Sequence, residues 1–289
     1  CAASVDAPPG DVAARDGFAV APGPGRRRVT VGAAHPGRPH PLALGAGEAI
    51  EIATGALVPA GADRFVPEEA ARREAGGVVL ARAGAAGDHV HPRGRDVRRG
   101  ERVAEAGAIL HPGAIGLLAA AGLARVPVVP RPRVAVVAVG DELARPGREL
   151  GPGGLYASNA LTLAAILERF GCPVRVDLAP DDDALVTAGG AWRSARDRVV
   201  PALERLGLDR VFHGVRLGPG KGTAFGLLDG RPVFCLPGPP ASCELAFHAL
   251  AARGLARLAG RPGGWLPRVR ARLERAIGPP DEGWTRVER

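Results

Sequence analysis

The chain of 289 residues predicts an α/β protein with β-rich flanks. Three observations carry that expectation. Residues 133–139 (RVAVVAV) form a continuous apolar run, as in a strand covered on both faces. Strand-like and helix-like segments alternate after it, which argues for an open, mostly parallel sheet. Before it, from about 21 to 95, short strands are broken by Gly and Pro. The expected architecture is multidomain: a central, mostly parallel α/β sandwich, an elongated β-rich N-terminal part, and a C-terminal β module that is only begun.

Taken in order, residues 1–20 are turn-rich. Residues 108–124 have helical periodicity, with Pro112 near the start and Gly122 near the end. VPVVPRP then reads as a stiff linker. Beyond the 133–139 strand, a helix is expected from about Asn159 to Phe170, with Ser158 as its N-cap. Strands follow near 173–178 and 184–188, the second ending in Gly189-Gly190. A helix near 194–206, strands near 209–217 and 223–235, and a helix from Pro240 to Leu258 complete the pattern.

No apolar run is long enough to cross a bilayer and no signal peptide is visible, so the expectation is a soluble, cytoplasmic protein. The four cysteines show no zinc spacing, and Cys235 and Cys243 read as buried thiols rather than a disulfide. The net charge of +8 is almost all Arg in a chain saturated with Ala, Gly and Pro, which reflects composition bias. With 4% aromatics and no RNP-like or helix-turn-helix signature, a nucleic-acid partner is not expected. Arginine still favours phosphorylated small molecules. Against that background the solitary Lys221 stands out, as do the solitary Asn159 and Tyr156.

Several segments could carry chemistry. In VAVGDEL, Asp141 and Glu142 sit just past the carboxyl end of a strand, where open α/β sheets bind ligands and carboxylates suit Mg²⁺. A solvated loop is an equal alternative. YASN (156–159) opens a helix, a position for an anion or a simple cap. The run Asp181-Asp182-Asp183 is more often a solvated turn than a ligand set. TAGG (187–190) allows close backbone approach. GPGKG (218–222) holds Gly220 and Lys221 in a glycine-rich turn. LPGPPAS (236–242) supplies Pro237, Gly238 and Ser242 at a strand-to-helix turn, again an anion-binding geometry. GPGKG lacks the spacing of a P-loop, and neither GxGxxG nor a nucleophile elbow is present. In the β-rich half, Asp16, Thr54 and Asp96 lie in turns that would pass as surface loops.

In this order the segments resemble the molybdopterin molybdenumtransferase (MoeA/gephyrin E-domain) family over nearly the whole chain. The resemblance rests on Asp16-Gly17-Phe18-Ala19, Thr54-Gly55-Ala56 with Gly61-Ala62-Asp63, Gly94/Asp96/Gly100, Gly140 to Leu143, Ser158-Asn159, the acidic turn, the PGK turn and the LPG turn. It implies four domain regions: 1–20 with 96–130 as a linker and dimerisation domain, 21–95 as an inserted β-rich domain, 131–262 as an α/β molybdopterin-binding domain, and 263–289 as the start of a β domain. It further implies a homodimer, an adenylyltransferase-type partner, and insertion of molybdate into adenylylated molybdopterin with Mg²⁺ assistance and release of AMP. By the same resemblance Asp16, Thr54, Glu142, Asp181 and Lys221 are catalytic candidates. Asp96, Asp141, Ser158, Asn159, Gly189, Gly190, Gly220, Pro237, Gly238 and Ser242 would bind substrate, and Glu142, Asp182 and Asp197 would hold the metal.

There are departures. TAGG runs straight into AWRSARD where the family has SGGVSxGxxD, so that Asp197 would stand in for the terminal acid. The PGK turn is preceded by Gly218 rather than Lys, and LPGNP has become LPGPP. A catalytically altered relative that binds molybdopterin or a partner protein as a scaffold or carrier is the alternative reading, and a distinct enzyme on a related α/β domain is a third.

Overall fold

The computed structural model describes residues 1–81, 85–176, 182–261, 263–265, 270, 272 and 282–286. Contacts divide the chain into two compact units, 1–127 and 128–289, the boundary in the sequence falling within the proline-rich linker.

The first unit is built from short strands: β1 (Val12–Ala13), β2 (Gly17–Val20), β3 (Arg27–Ala34), β4 (Glu48–Ile52), β5 (Arg64–Pro67), β6 (Ala71–Glu74), β7 (Gly77–Leu80) and β8 (Val90–His91), followed by helix α1 (Pro112–Ala120). Six strands form one sheet in the order β5-β2-β4-β3-β7-β6. The β2 sequence GFAV is buried throughout because both faces of the sheet are covered. Phe18, Val20, Val66 and Val78 fill one side, and Ala19, Ile50, Ile52 and Phe65 the other. Burying each such aliphatic or Phe side chain contributes about 1.5–3 kcal/mol. The N-terminal segment pairs back on residues 90–102 through β1–β8 and the bridges Ala7↔Val97 and Ala2↔Arg102.

The second unit contains β9 (Val134–Ala138), β10 (Leu143–Ala144), β11 (Leu155–Tyr156), α2 (Ser158–Arg169), β12 (Val174–Val176), β13 (Ala184–Ala188), α3 (Val199–Arg205), β14 (Asp209–His213), β15 (Leu217–Gly218), β16 (Ala224–Leu228), β17 (Arg231–Leu236), α4 (Pro240–Ala246), a π-helical turn (Phe247–Ala251), α5 (Ala252–Leu258) and β18 (Thr285–Arg286). Its main sheet runs β12-β9-β13-β17-β16-β14. The first four strands are parallel, and β16 runs against them, antiparallel to both β17 and β14. On one face α2 and the α4–α5 helix bury Leu163, Leu167, Phe247 and Leu255; on the other, α3 buries Val199, Val200 and Leu203. The result is the three-layer sandwich the alternating pattern predicts.

Three local expectations are corrected. The 223–235 stretch is not one strand but the hairpin β16–β17, turning at Asp229 (φ 51°) and Gly230 (φ 76°). Positive φ at both central residues is what a two-residue primed turn requires, and Asp-Gly supplies it cheaply. Ser158 is the first helical residue rather than the cap; Ala157 holds the cap position without a side-chain hydrogen bond. The helix expected from 194 begins only at Val199. Residues 194–197 form a turn in which the Ser194 N–H donates to the Asp197 carboxylate at 2.8 Å.

Among the described residues no helix is long and apolar enough to cross a membrane. All four cysteines are free, with Cys172, Cys235 and Cys243 buried.

Candidate functional site

The register of the second sheet gathers most of the predicted residues along one edge. Val137 of β9 lies beside Thr187 of β13, Thr187 beside Cys235 of β17, and Cys235 beside Ala224 of β16, which pairs with His213 of β14. The parallel strands end at this line. Because β16 runs the other way, it begins here, so the glycine-rich turn that precedes it arrives at the same edge. Antiparallel to β16, β14 ends here too.

Backbone contacts tie the loops together. The Val139 N–H donates to the Ala188 carbonyl at 2.9 Å and the Gly189 N–H to the Leu236 carbonyl at 3.0 Å. Gly189 (φ 99°) presses against the Val139 carbonyl: a Cβ there would sit 2.3 Å from that oxygen. Gly238 stands over Gly189, where a Cβ would lie 3.6 Å from the Gly189 Cα. Asn159 Nδ2 donates to the Gly238 carbonyl at 2.7 Å, pinning the start of α2 to the turn after β17. Asp141 and Glu142 are exposed on the turn after β9, and the Glu142 carboxylate folds back over Gly140, within 2.8 Å of where a Cβ would stand.

The Lys221 turn is fixed from beneath. Buried Thr223 donates its hydroxyl to the Gly220 carbonyl at 2.7 Å, and the Val215 N–H donates to the Lys221 carbonyl at 3.1 Å. Gly220 has φ 124°, a conformation that favours glycine. The Lys221 ammonium lies 5.6 Å from the centre of the Trp192 ring. Trp192, Arg193 and His213 are therefore part of this edge, though sequence reasoning did not single them out. A tryptophan just after a Gly-Gly strand end was the available signal.

Not every candidate converges. Asp182 precedes β13, so it stands at the opposite end of that strand, roughly 17 Å away at about 3.3 Å per residue. It is 5% exposed and faces Arg175, with Oδ1 at 3.9 Å from Nε. Asp183 likewise accepts from the Arg133 N–H at 2.8 Å, a bond that holds its carboxyl below the usual range. Asp181 lies outside the described residues. Asp197 is engaged by Ser194, whose hydrogen bonds lower its pKa. Ser242 sits in the first turn of α4, partly buried, and Pro237 opens the turn before it.

The metal set Glu142, Asp182 and Asp197 is thus not assembled. Among the described residues no group of three or more His, Cys, Asp or Glu side chains could hold a metal ion. Mg²⁺ asks for less, one or two carboxylates with substrate oxygens completing the shell. The exposed Asp141–Glu142 turn meets that requirement.

In the first unit, Asp16 and Thr54 are bonded to each other. Asp16 Oδ1 accepts from the Thr54 N–H at 2.6 Å and from its hydroxyl at 2.7 Å. These bonds, the hydroxyl's first, lower the Asp16 pKa. Arg15 pairs with Glu69 at 3.1 Å beside them. Asp96 belongs to another turn, its N–H donating to the Ala7 carbonyl at 2.9 Å.

A cavity of about 510 Å³ lies elsewhere in the second unit, among Val215, Arg216, Leu217, His248, Trp265 and Thr285. None of the predicted residues lines it.

Comparison with known proteins decides the family. Residues 1–122 match the MoeA N-terminal region (domain I and II), and residues 175–257 a probable molybdopterin binding domain. The molybdopterin molybdenumtransferase of Haemophilus influenzae is 30% identical over 277 residues, covering 89% of this chain and 68% of that protein. The chain belongs to the molybdopterin molybdenumtransferase family. Molybdopterin molybdenumtransferase 2 of Mycobacterium tuberculosis is 34% identical over 265 residues, or 84% of this chain; the chain spans 65% of the length of that relative. Among solved structures, the MoeA molybdopterin biosynthesis protein of Pyrococcus horikosii superposes with a TM-score of 0.73 at 32% identity, covering 91% of this chain and 72% of that one. Membership in this family agrees with the resemblance read from the motifs, and with the multidomain α/β and β-rich architecture.

Proposed function

We propose that this family member inserts molybdenum into molybdopterin, acting on the adenylylated pterin and molybdate and releasing AMP. The observation that carries the reading is the shared sheet edge on which Glu142, the Gly189 and Gly238 turns and Lys221 come together. Such an edge, beyond the carboxyl ends of parallel strands, is where open α/β sheets take ligands. Molybdopterin molybdenumtransferases are the relatives that match both halves of the chain.

In this reading Lys221 stabilises charge that develops on the phosphate as the phosphoanhydride breaks. Gly189 and Gly238, lacking side chains, let the pterin phosphate approach the backbone. Asp141 and Glu142 would hold Mg²⁺, which when bound neutralises charge on phosphate oxygens. Asp16 and Thr54 form a second acidic element in the β-rich unit, and Asp96 a third.

The homodimer belongs to the same proposal. Helix α1 (PGAIGLLAA) carries almost no polar side chain, yet only Leu118 among its residues is buried. Ile109 is 61% exposed and Ile115 55%, an apolar surface of the kind that subunit contacts cover. A cytoplasmic location, a small anionic pterin substrate and an adenylyltransferase-type donor are part of the reading.

One observation favours a second reading, a molybdopterin-binding carrier without turnover: the loop after β13 lacks the serine-bearing glycine cradle. The test is to incubate the purified protein with adenylylated molybdopterin, Mg²⁺ and molybdate, with Glu142→Ala in parallel. Molybdate-dependent AMP release that disappears in the variant supports the transferase. Tight pterin binding without AMP release replaces it with the carrier.

A further inference from the structure

The loop after β13 brings two residues that the function above does not use, Trp192 and Arg193, up to Lys221, which it does. Trp192 lies on glycine: a Cβ at Gly214 would come within 3.3 Å of its ring and one at Gly222 within 3.5 Å. Two cations share this ring. The Lys221 ammonium is 5.6 Å from its centre and the Arg193 guanidinium carbon 5.4 Å. Arg193 is steadied by donating to the His213 carbonyl at 2.7 Å. His213 in turn contacts the Ala191 carbonyl through Nε2 at 2.8 Å and Arg210 through Nδ1 at 3.2 Å.

Each of the two positive groups is attracted by the π face of the ring it lies over. Among the described residues neither Lys221 nor Arg193 forms an ion pair, although all ten described ion pairs in this arginine-rich chain are formed by other exposed arginines. The Asp197 carboxylate lies in the same loop, held by Ser194 and the Trp192 backbone. Lys221 and Arg193 stand exposed at the sheet edge beside Gly189 and Gly190, and Trp192 is itself 37% exposed, so both cations are open to an anionic ligand.

We propose that Trp192 is a positioning residue which gathers Lys221 and Arg193 into a dicationic clamp for a phosphomonoester, of which a nucleoside monophosphate is the matching substrate or product class. The clamp stands in the loop that follows Gly189-Gly190, where it supplies positive charge. It deepens the transferase reading and rests on it for the choice of nucleotide. Its electrostatics, however, are tested separately.

The experiment measures AMP binding calorimetrically to the whole chain and to Trp192→Phe, Trp192→Leu, Lys221→Gln and the Trp192→Leu/Lys221→Gln double variant. Thermal melts of each separate lost affinity from lost folding. A ring that orients the cations predicts AMP binding weaker by about 2- to 30-fold in Trp192→Leu. Most of that loss should be absent in Trp192→Phe, and adding Trp192→Leu to Lys221→Gln should cost only the share carried by Arg193, less than Trp192→Leu costs alone. Equal losses in Phe and Leu, or losses that simply add in the double variant, overturn the clamp. Should Trp192→Leu fail to fold, fluorinated tryptophan weakens the π face at nearly constant volume, with fluorinated Trp192→Phe as control for Trp265 and Trp284. AMP affinity must then fall only where Trp192 is present, and unchanged affinity overturns the proposal. Molybdate-dependent AMP release by a protein whose AMP affinity ignores Trp192 defeats the clamp and leaves the transferase standing. Ring-dependent AMP binding without release does the reverse.

Discussion

Asp16 takes both hydrogen bonds that Thr54 can offer a single oxygen, from its N–H at 2.6 Å and its hydroxyl at 2.7 Å. The pair joins the turn before β2 to the turn after β4, and it keeps Asp16 ionised. Thr54→Ala removes the larger of the two influences while leaving the backbone donor. We expect the Asp16 carboxyl pKa, followed by NMR titration, to rise toward its usual value, and Thr54→Ser to leave it where it is. An unmoved value in Thr54→Ala contradicts the bond.

The same direction applies to Asp6, Asp183, Asp197 and Glu51, each lowered first by hydrogen bonding from Arg99, Arg133, Ser194 and Arg73 respectively. A carboxylate whose folded pKa is depressed contributes stability that is present above its unfolded value, about 4. That contribution is lost as pH falls through the folded value. Denaturation midpoints should thus hold level from neutrality to about pH 5 and drop below about pH 4; a midpoint that rises on acidification contradicts this assignment.

Gly189 permits no side chain. Its φ of 99° and the Val139 carbonyl, 2.3 Å from any Cβ, oppose Gly189→Ala together. Backbone strain of this kind costs about 1–3 kcal/mol before the clash is counted. Chemical denaturation should register at least that loss, whereas Gly147→Ala, equally left-handed but with open space around it, should lose less.

Asn159→Ala deletes the 2.7 Å bond to the Gly238 carbonyl. The expected cost is about 0.5–1.5 kcal/mol in urea denaturation. Asn159→Asp should cost more, because a carboxylate would face a carbonyl oxygen. An Asp variant as stable as the wild type would show that the amide does not donate there.

Of the four thiols only Cys1 is exposed. Burial pushes Cys235 up to about 11 and Cys243 up to about 12. At pH 8 one equivalent should react promptly with a disulfide reagent, and the other three only on unfolding.

How much of this was legible depended on whether the signal was local. The 133–139 run announces a buried strand because a two-sided cover leaves no alternation, and its neighbours follow from the βα rhythm. Some of the family motifs hold glycines with a steric reason to be there, as Gly17 and Gly61 do against backbone oxygens. The hairpin at Asp229-Gly230 was also written locally and was passed over, although Asp-Gly between apolar runs is a strong turn signal. Asp182 misled for the opposite reason. An acidic turn reads alike at either end of a strand, and only the order in which β12, β9 and β13 assemble puts it away from Glu142. The role of Trp192 was likewise invisible, since Gly214 and Gly222, the residues it rests on, are more than 20 positions distant along the chain.

The Val199 N–H donates to the Gly190 carbonyl at 3.1 Å. Residues 191–198 therefore leave and rejoin the sandwich at one point, like a bead hung on a closed clasp. The clasp does not depend on what it carries. Doubling the length of such a segment adds only about 0.6 kcal/mol of closure entropy. The segment is thus interchangeable: a longer glycine- and serine-bearing loop spliced between Gly190 and Val199 should disturb no rung of the sheet, and the chain would serve as a ready recipient for comparing two ways of holding the same anion.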